Sequence, residues 1–199
     1  MKKISFVFMG LLVIVVTGSL LLFFRNSCRG YACLSFADRQ NFREIEQVEN
    51  TNISYSGTLT KGSIHVRLEA YLAPTQDVAE RFTQAKVMQL QGLFEVARSP
   101  YPGVLSNEIV CEDKFKPVVK ETSLSNGLGA TIITGYLNDR LQYGICLDDQ
   151  IAYIGRTAML YCNDQKKWYY FEAITKKSDP KANADATHLI QSLKCQKPF

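Results

Sequence analysis

The sequence predicts an α+β fold: an N-terminal transmembrane helix, then an antiparallel sheet made of a hairpin and a meander, packed against one long helix and a C-terminal helix. Three observations predict it. Residues 4–24 carry no charge, residues 52–72 and much of 107–176 alternate with period two between turn signals, and residues 76–98 hold apolar side chains at helical spacing. The chain thus divides into an anchor at 1–24, a stalk with a short helix at 25–48, and a single extracytoplasmic α+β domain at 49–199.

The anchor, ISFVFMGLLVIVVTGSLLLFF, has only Ser5, Thr17 and Ser19 as side-chain polar groups. As a helix it spans roughly 31 Å, the thickness of one hydrocarbon core. Met1-Lys2-Lys3 ahead of it also opens a secretory signal, but a signal's apolar region is shorter, about 7–15 residues. Here the small pair Thr17 and Ser19 is followed by Leu20-Leu21-Leu22-Phe23-Phe24, so retention as an uncleaved anchor is the expectation. Basic residues near the two ends balance, Lys2 and Lys3 against Arg25, Arg29, Arg39 and Arg43, and leave orientation open. The cysteines decide it. Cys28, Cys33, Cys111, Cys146, Cys162 and Cys195 all follow the anchor, an even number that predicts disulfides and a domain outside the cytoplasm, whether periplasmic, extracellular or lumenal.

Beyond Phe24 there is length enough for a real core, so disulfides would staple this fold and need not create it. The net charge is +4, or 21 basic against 19 acidic residues without Lys2 and Lys3, and no dense basic run occurs. Nucleic acid is therefore no implied partner. Lys166-Lys167 and Lys176-Lys177 flank an apolar strand and read as solvated strand ends.

Ser35-Phe36-Ala37-Asp38 resembles a capping box and predicts a short helix through about Val48. A hairpin follows, 52–59 and 63–72 around Thr60-Lys61-Gly62. In its second strand Ile64, Val66, Leu68 and Ala70 share one face, and His65, Arg67, Glu69 and Tyr71 the other. The second set is a possible binding face; as the outer side of a half-exposed sheet it is also an ordinary solvated surface. In 76–98, Val78, Ala79, Phe82, Ala85, Val87, Leu90, Leu93, Phe94, Val96 and Ala97 form one broad apolar arc predicted to pack on the sheet. Ser99-Pro100-Tyr101-Pro102-Gly103 stops that helix.

Strands are then predicted at 107–115, 130–137, 140–147, 151–162 and 167–176, with turns at Ser125-Asn126-Gly127, Asn138-Asp139, Asp148-Asp149 and Asn163-Asp164. In the third of these, Leu141, Tyr143, Ile145 and Leu147 face one way and Cys146 the other, toward the polar side. Asp179 and Pro180 open the last helix, whose stripe is Ala182, Ala186, Leu189, Ile190 and Leu193. Of the 15 pairings that six cysteines allow, Cys162–Cys195 and Cys111–Cys146 are the expected domain bridges, and a local Cys28–Cys33 bridge is sterically possible. The order of hairpin, long helix, antiparallel meander and terminal helix resembles that of PsbP/Mog1-type α+β domains, a likeness that implies no function.

No catalytic constellation, metal set or cofactor motif emerges. His65 and His188 have no cysteine or carboxylate at ligand spacing, Gly127-Leu128-Gly129 is too short to cradle a phosphate, and no nucleophile elbow occurs. Asn52-Ile53-Ser54 is a glycosylation acceptor in a eukaryotic secretory pathway. The expected function is a membrane-anchored protein-binding or accessory domain, held in the membrane by residues 4–24, with its partner in the same envelope space or lumen. The alternative is an enzyme or small-ligand binder with a site near His65, Arg67 and Glu69. Labelling intact cells with a membrane-impermeant thiol reagent should tag no cysteine before reduction; tagging of free thiols without reduction would exclude an all-disulfide domain.

Overall fold

The computed structural model describes residues 33–50, 53–98, 113–145 and 148–197. Their elements are β1 (Leu34–Ser35), β2 (Arg43–Asn50), β3 (Ile53–Lys61), β4 (Ile64–Leu72), α1 (Gln76–Arg98), β5 (Val118–Ser123), β6 (Gly129–Leu137), β7 (Tyr153–Cys162), β8 (Lys167–Lys176), α2 (Pro180–Gln191) and β9 (Lys194–Cys195). Seven strands form one antiparallel sheet in the order β2-β3-β4-β8-β7-β6-β5, and β1 pairs with β9 in a small second one. The connection through α1 carries the chain from mid-sheet at β4 to the far edge at β5. A plain meander then brings it back until β8 lies beside β4.

β8 is the centre. Every residue from Trp168 to Thr175 is buried, because both faces of this strand are covered. On one face Tyr169, Phe171 and Ala173 join Val66, Leu68 and Ala70 of β4 and Ala158 and Leu160 of β7 under Ala182, Ala186, Leu189 and Ile190 of α2. Trp168, Tyr170 and Ile174 point the other way, with Met159 and Ile133, against Ala79 and Leu90 of α1. Each large apolar side chain so buried contributes about 1.5–3 kcal/mol. The start of α2 is fixed locally. Asp179 Oδ1 accepts from the Ala182 amide at 2.9 Å, and Pro180 occupies the first turn, where a missing N–H costs nothing.

The anchor segment, Cys28, Cys111, Cys146, Asn52 and the stop at 99–103 lie outside the described residues. Among the described residues, no helix is long and apolar enough to cross a membrane. Helix 76–98, strands 130–137, 151–162 and 167–176, and the terminal helix emerge close to their predicted bounds. The hairpin turn moves by one residue: Lys61 still pairs, with Ile64, and Gly62 takes φ +59 at the bend.

Three expectations are corrected. The short helix through Val48 does not form: Ser35 is in β1, Arg39–Asn41 is a single 3-10 turn, and Arg43–Asn50 is a strand paired with β3. Asp38, placed to support a cap, adopts φ +57 and makes no side-chain capping bond. Pairing to an existing sheet edge outweighs the modest helix preference of a Glu- and Gln-rich stretch, and bulges between Glu44 and Glu46 and between Val48 and Asn50 absorb its irregular spacing. The part of the predicted stalk from Cys33 onward is thus built into the domain, with Cys33, Leu34, Phe36 and Phe42 in the α2-side core. Next, the predicted strand at 107–115 ends in a 3-10 turn at Asp113–Phe115, its earlier residues lying outside the described set, and the sheet's edge is instead Val118–Ser123.

Last, 140–147 is no strand as far as Ile145. Asn138 Oδ1 accepts from the amides of Arg140 and Gln142, the Asn138 amide donates to Gln142 O at 3.0 Å, and Leu141 and Gly144 take φ +58 and +100. The asparagine closes a loop where a strand would need those amides for a neighbour.

Cys162 and Cys195 are bridged, as expected, tying the end of β7 to β9 across 33 residues of sequence. Cys33 is disulfide-bonded too, its partner outside the described residues, and no described cysteine is free. Replacing Cys162 and Cys195 together by serine should lower unfolding free energy by about 2–4 kcal/mol. Denaturant titration of oxidised protein measures it, and a change under ~0.5 kcal/mol would show that the β1–β9 pairing closes this end without the bridge.

Candidate functional site

The predicted polar face of β4 is not a solvated sheet surface. It lies on the side that α1 covers, and His65, Arg67, Glu69 and Tyr71 are each half-buried. Across the register to β8 they meet Ile174, Glu172, Tyr170 and Trp168 in turn. Glu172 is the uncommon one: a carboxylate at 0% exposure in the middle of the central strand. Tyr143 donates its hydroxyl to Glu172 Oε1 at 2.6 Å, and Arg67 Nη1 reaches Oε2 at 3.3 Å while its Nη2 contacts Leu141 O at 3.4 Å. One loop, 138–145, thus brings both the phenol and the carbonyl to this spot.

Two glycines make room for Tyr143. Gly135 and Gly155 are register partners on β6 and β7, and the tyrosine ring lies over them. A methyl on Gly135 would come 2.8 Å from Tyr143 Cε1, and one on Gly155 would clash with its hydroxyl and with Leu137. Burial, then the Glu172 charge, push the Tyr143 hydroxyl well above its ordinary range, and the same two causes act on Tyr170. Tyr143 is therefore a neutral donor at any physiological pH.

Further along β4, Tyr71 donates to Glu69 Oε2 at 3.1 Å, and Lys86 of α1 lies 3.7 Å from the same oxygen with its ammonium 4.3 Å from the centre of the Tyr170 ring. Burial and Glu69 raise the Tyr71 phenol to about 12. Its ring packs with Phe82 and Trp168, whose indole donates to Thr83 Oγ1 at 2.8 Å. Between α1, this part of the sheet and the 138–145 loop is an open cleft of about 440 Å³, lined by Arg67, Glu69, Lys86, Gln89, Leu90, Leu93, Leu141, Gln142, Tyr143, Tyr170 and Glu172.

The structure therefore brings Arg67 and Glu69 together at a cleft and leaves the other two predicted residues out. Tyr71 belongs to the aromatic cluster, and His65, one register step past Arg67, does not line the cleft. His188 is exposed on α2, on the opposite side of the sheet. Glu172 and Tyr143 escaped the sequence reading. The signal for Glu172 was a single carboxylate inside the apolar run WYYFEAIT, which no half-solvated strand would require. Among the described residues no three His, Cys, Asp or Glu side chains group as a metal site.

The α1 stripe is narrower than the predicted arc. Ala79, Leu90 and Phe94 are buried, and Thr83 and Lys86 share that side, while Ala85 is exposed and Leu93 is 41% exposed. Met88, on the outward face, is 69% exposed.

No protein-family model matches the chain, and no curated protein does. Among solved structures it is similar to a protein of Bacteroides thetaiotaomicron VPI-5482, at 9% identity and a TM-score of 0.39, over 83% of this chain and 46% of that one. This chain so spans under half the length of that relative. A point mutant of the protein Mog1 is similar at 7% identity and a TM-score of 0.42, and the Saccharomyces cerevisiae Ran-binding protein Mog1p at 6% and 0.41, each over 83% of this chain and 92% of the other.

Replacing Tyr143 by phenylalanine should destabilise the fold by about 1–3 kcal/mol at neutral pH, because Glu172 Oε1 loses its buried donor. The pH dependence follows from the raised phenol. An unfolded tyrosine ionises near 10, so stability resting on the neutral phenol is whole below about pH 10 and is lost as pH climbs toward the higher folded-state value. Denaturant midpoints measured from pH 7 to 11.5 should fall above pH 10, less steeply in Tyr143→Phe; parallel curves would remove Tyr143 from the alkaline transition.

Proposed function

We propose that this chain is a membrane-tethered, extracytoplasmic α+β domain that binds another protein, as an accessory subunit or inhibitor in the same envelope space, and catalyses nothing itself. The observation that carries the reading is the surface of α1. Met88 is 69% exposed, with exposed Ala85 one turn before it and Gly92, at which a methyl would meet nothing within 4 Å, one turn after. The cation between them, Lys86, turns inward toward Glu69 and Tyr170. A helix face with a large flexible apolar side chain between two small residues suits close packing by a partner. Leu93, 41% exposed, lies on another side of the same helix and lines the cleft with Arg67, giving a partner a second apolar contact.

The chemistry beneath points the same way. Glu172 has both oxygens engaged, one by a phenol that stays protonated, and this arrangement suits holding a loop in place better than moving a proton. A second reading, an enzyme or small-ligand site near His65, Arg67 and Glu69, is favoured by the cleft itself, which two of those three residues line.

A photo-activatable amino acid at Met88 of the full chain in its native membrane should cross-link one discrete protein, and Met88→Glu with Leu93→Glu should abolish its recovery while changing folding stability by no more than ~0.5 kcal/mol each. Unchanged recovery from the double variant would remove α1 as the contact surface, and the absence of any cross-linked protein would overturn the reading.

A further inference from the structure

The cleft beside α1 has a surplus of donors. Both Glu172 oxygens are taken within the fold, and Glu69 Oε2 accepts from Tyr71. Its two cations are held loosely by comparison. Arg67 spends two of its five N–H groups on contacts of 3.3 and 3.4 Å, well beyond the roughly 2.7–2.9 Å of a strong charge-assisted bond. Lys86, with a side chain only 22% exposed, has its carboxylate 3.7 Å away, so among the described residues no acceptor stands within hydrogen-bond distance of its ammonium. The three N–H groups of Lys86 and three more on Arg67 line one open cleft, in which Leu90, Leu93 and Leu141 are apolar and Gln89 and Gln142 add neutral polar groups beside Glu69.

We infer that this cleft receives an acidic side chain of the partner, its carboxylate taken by Lys86 and Arg67, and an adjacent aliphatic side chain packed on Leu90, Leu93 and Leu141. The inference rests on the protein-binding reading above and names the partner's chemistry. A carboxylate supplies acceptors to both cations at once and adds one negative charge beside Glu69, which already stands 3.7 Å from Lys86, so the two cations must offset both; Tyr143 and Tyr170 add none. The volume, about 440 Å³, is in the range that takes two or three side chains.

The test is calorimetric titration of the full chain in lipid nanodiscs with the blocked tripeptides acetyl-Leu-Glu-Leu-amide and acetyl-Leu-Gln-Leu-amide, and with 4-methylpentanoate. The glutamate peptide should bind at least about tenfold more tightly than the glutamine one, and Lys86→Gln should erase that difference. Arg67 is left intact, because its loss would strand the buried Glu172, and Leu93→Asp serves as the second variant, weakening the glutamate peptide about tenfold or more by charge repulsion. Equal binding of the two peptides, or a preference unchanged in Lys86→Gln, overturns the inference. So does 4-methylpentanoate binding as tightly as the glutamate peptide, which would make the cleft a site for free acids. Equal peptide binding alongside a persisting Met88 cross-link sinks this inference alone; loss of the cross-link sinks the reading beneath it.

Discussion

A carboxylate with no access to water stands at the midpoint of the central strand, and much of one side of this domain is arranged around neutralising it. Glu172 is at 0% exposure, and a buried carboxyl group needs hydrogen-bond donors in fixed positions to replace the water it has lost. β4 provides Arg67 from directly across the register. The phenol comes from a loop that is not part of the sheet, and that loop reaches the spot only because Asn138 closes it and because adjacent strands offer glycine at the two places where its ring lies. A bent loop, a glycine pair and a strand-centre arginine are thus three answers to one electrostatic demand.

The same demand shapes the cleft. Because Tyr143 comes from outside the sheet, the 138–145 loop stands up beside α1 and forms the third wall of a depression that a plain helix-on-sheet contact would fill. Leu141 contributes both a side chain to that wall and a carbonyl to Arg67. The cleft is in this sense a by-product of burying Glu172, and its spare donors are on Lys86, which plays no part in satisfying it, and on the part of Arg67 that Glu172 leaves unused.

What could be read from the sequence followed periodicity. α1, β4, β6, β7, β8 and α2 repeat their apolar residues long enough for 3.6 or 2.0 to stand out, and the Cys162–Cys195 bridge was one expected pairing among the fifteen that six cysteines allow. The failures have local causes of another kind. Residues 43–50 carry helix-favouring side chains, but the edge of β3 was open to them, which no local pattern reveals. Residues 140–145 alternate like a strand, and Tyr143 and Ile145 are indeed buried, yet one asparagine side chain takes the amides a strand would have paired. β5 was missed because an edge strand with exposed residues on both sides leaves little alternation to see. Of the candidate site, Arg67 and Glu69 were legible from strand parity; Tyr143 was not, since its partner is 29 positions away in sequence.

The pairing of β1 with β9 and the bridge from Cys195 to Cys162 decide how the domain answers a pull from whatever holds the chain upstream of Cys33. Tension entering from that side meets the disulfide of Cys33 itself, and then Leu34 and Ser35, whose partners are Cys195 and Lys194, with Gln196 donating to Cys33 O at 2.9 Å alongside. From Cys195 the pull passes covalently into the end of β7 and so into the middle of the sheet. α1 and the cleft stand off that line of force. Mechanical load entering at Cys33 would be taken up between that residue's disulfide, a short strand pair and the Cys162–Cys195 bridge, leaving the α1 side of the sheet undisturbed.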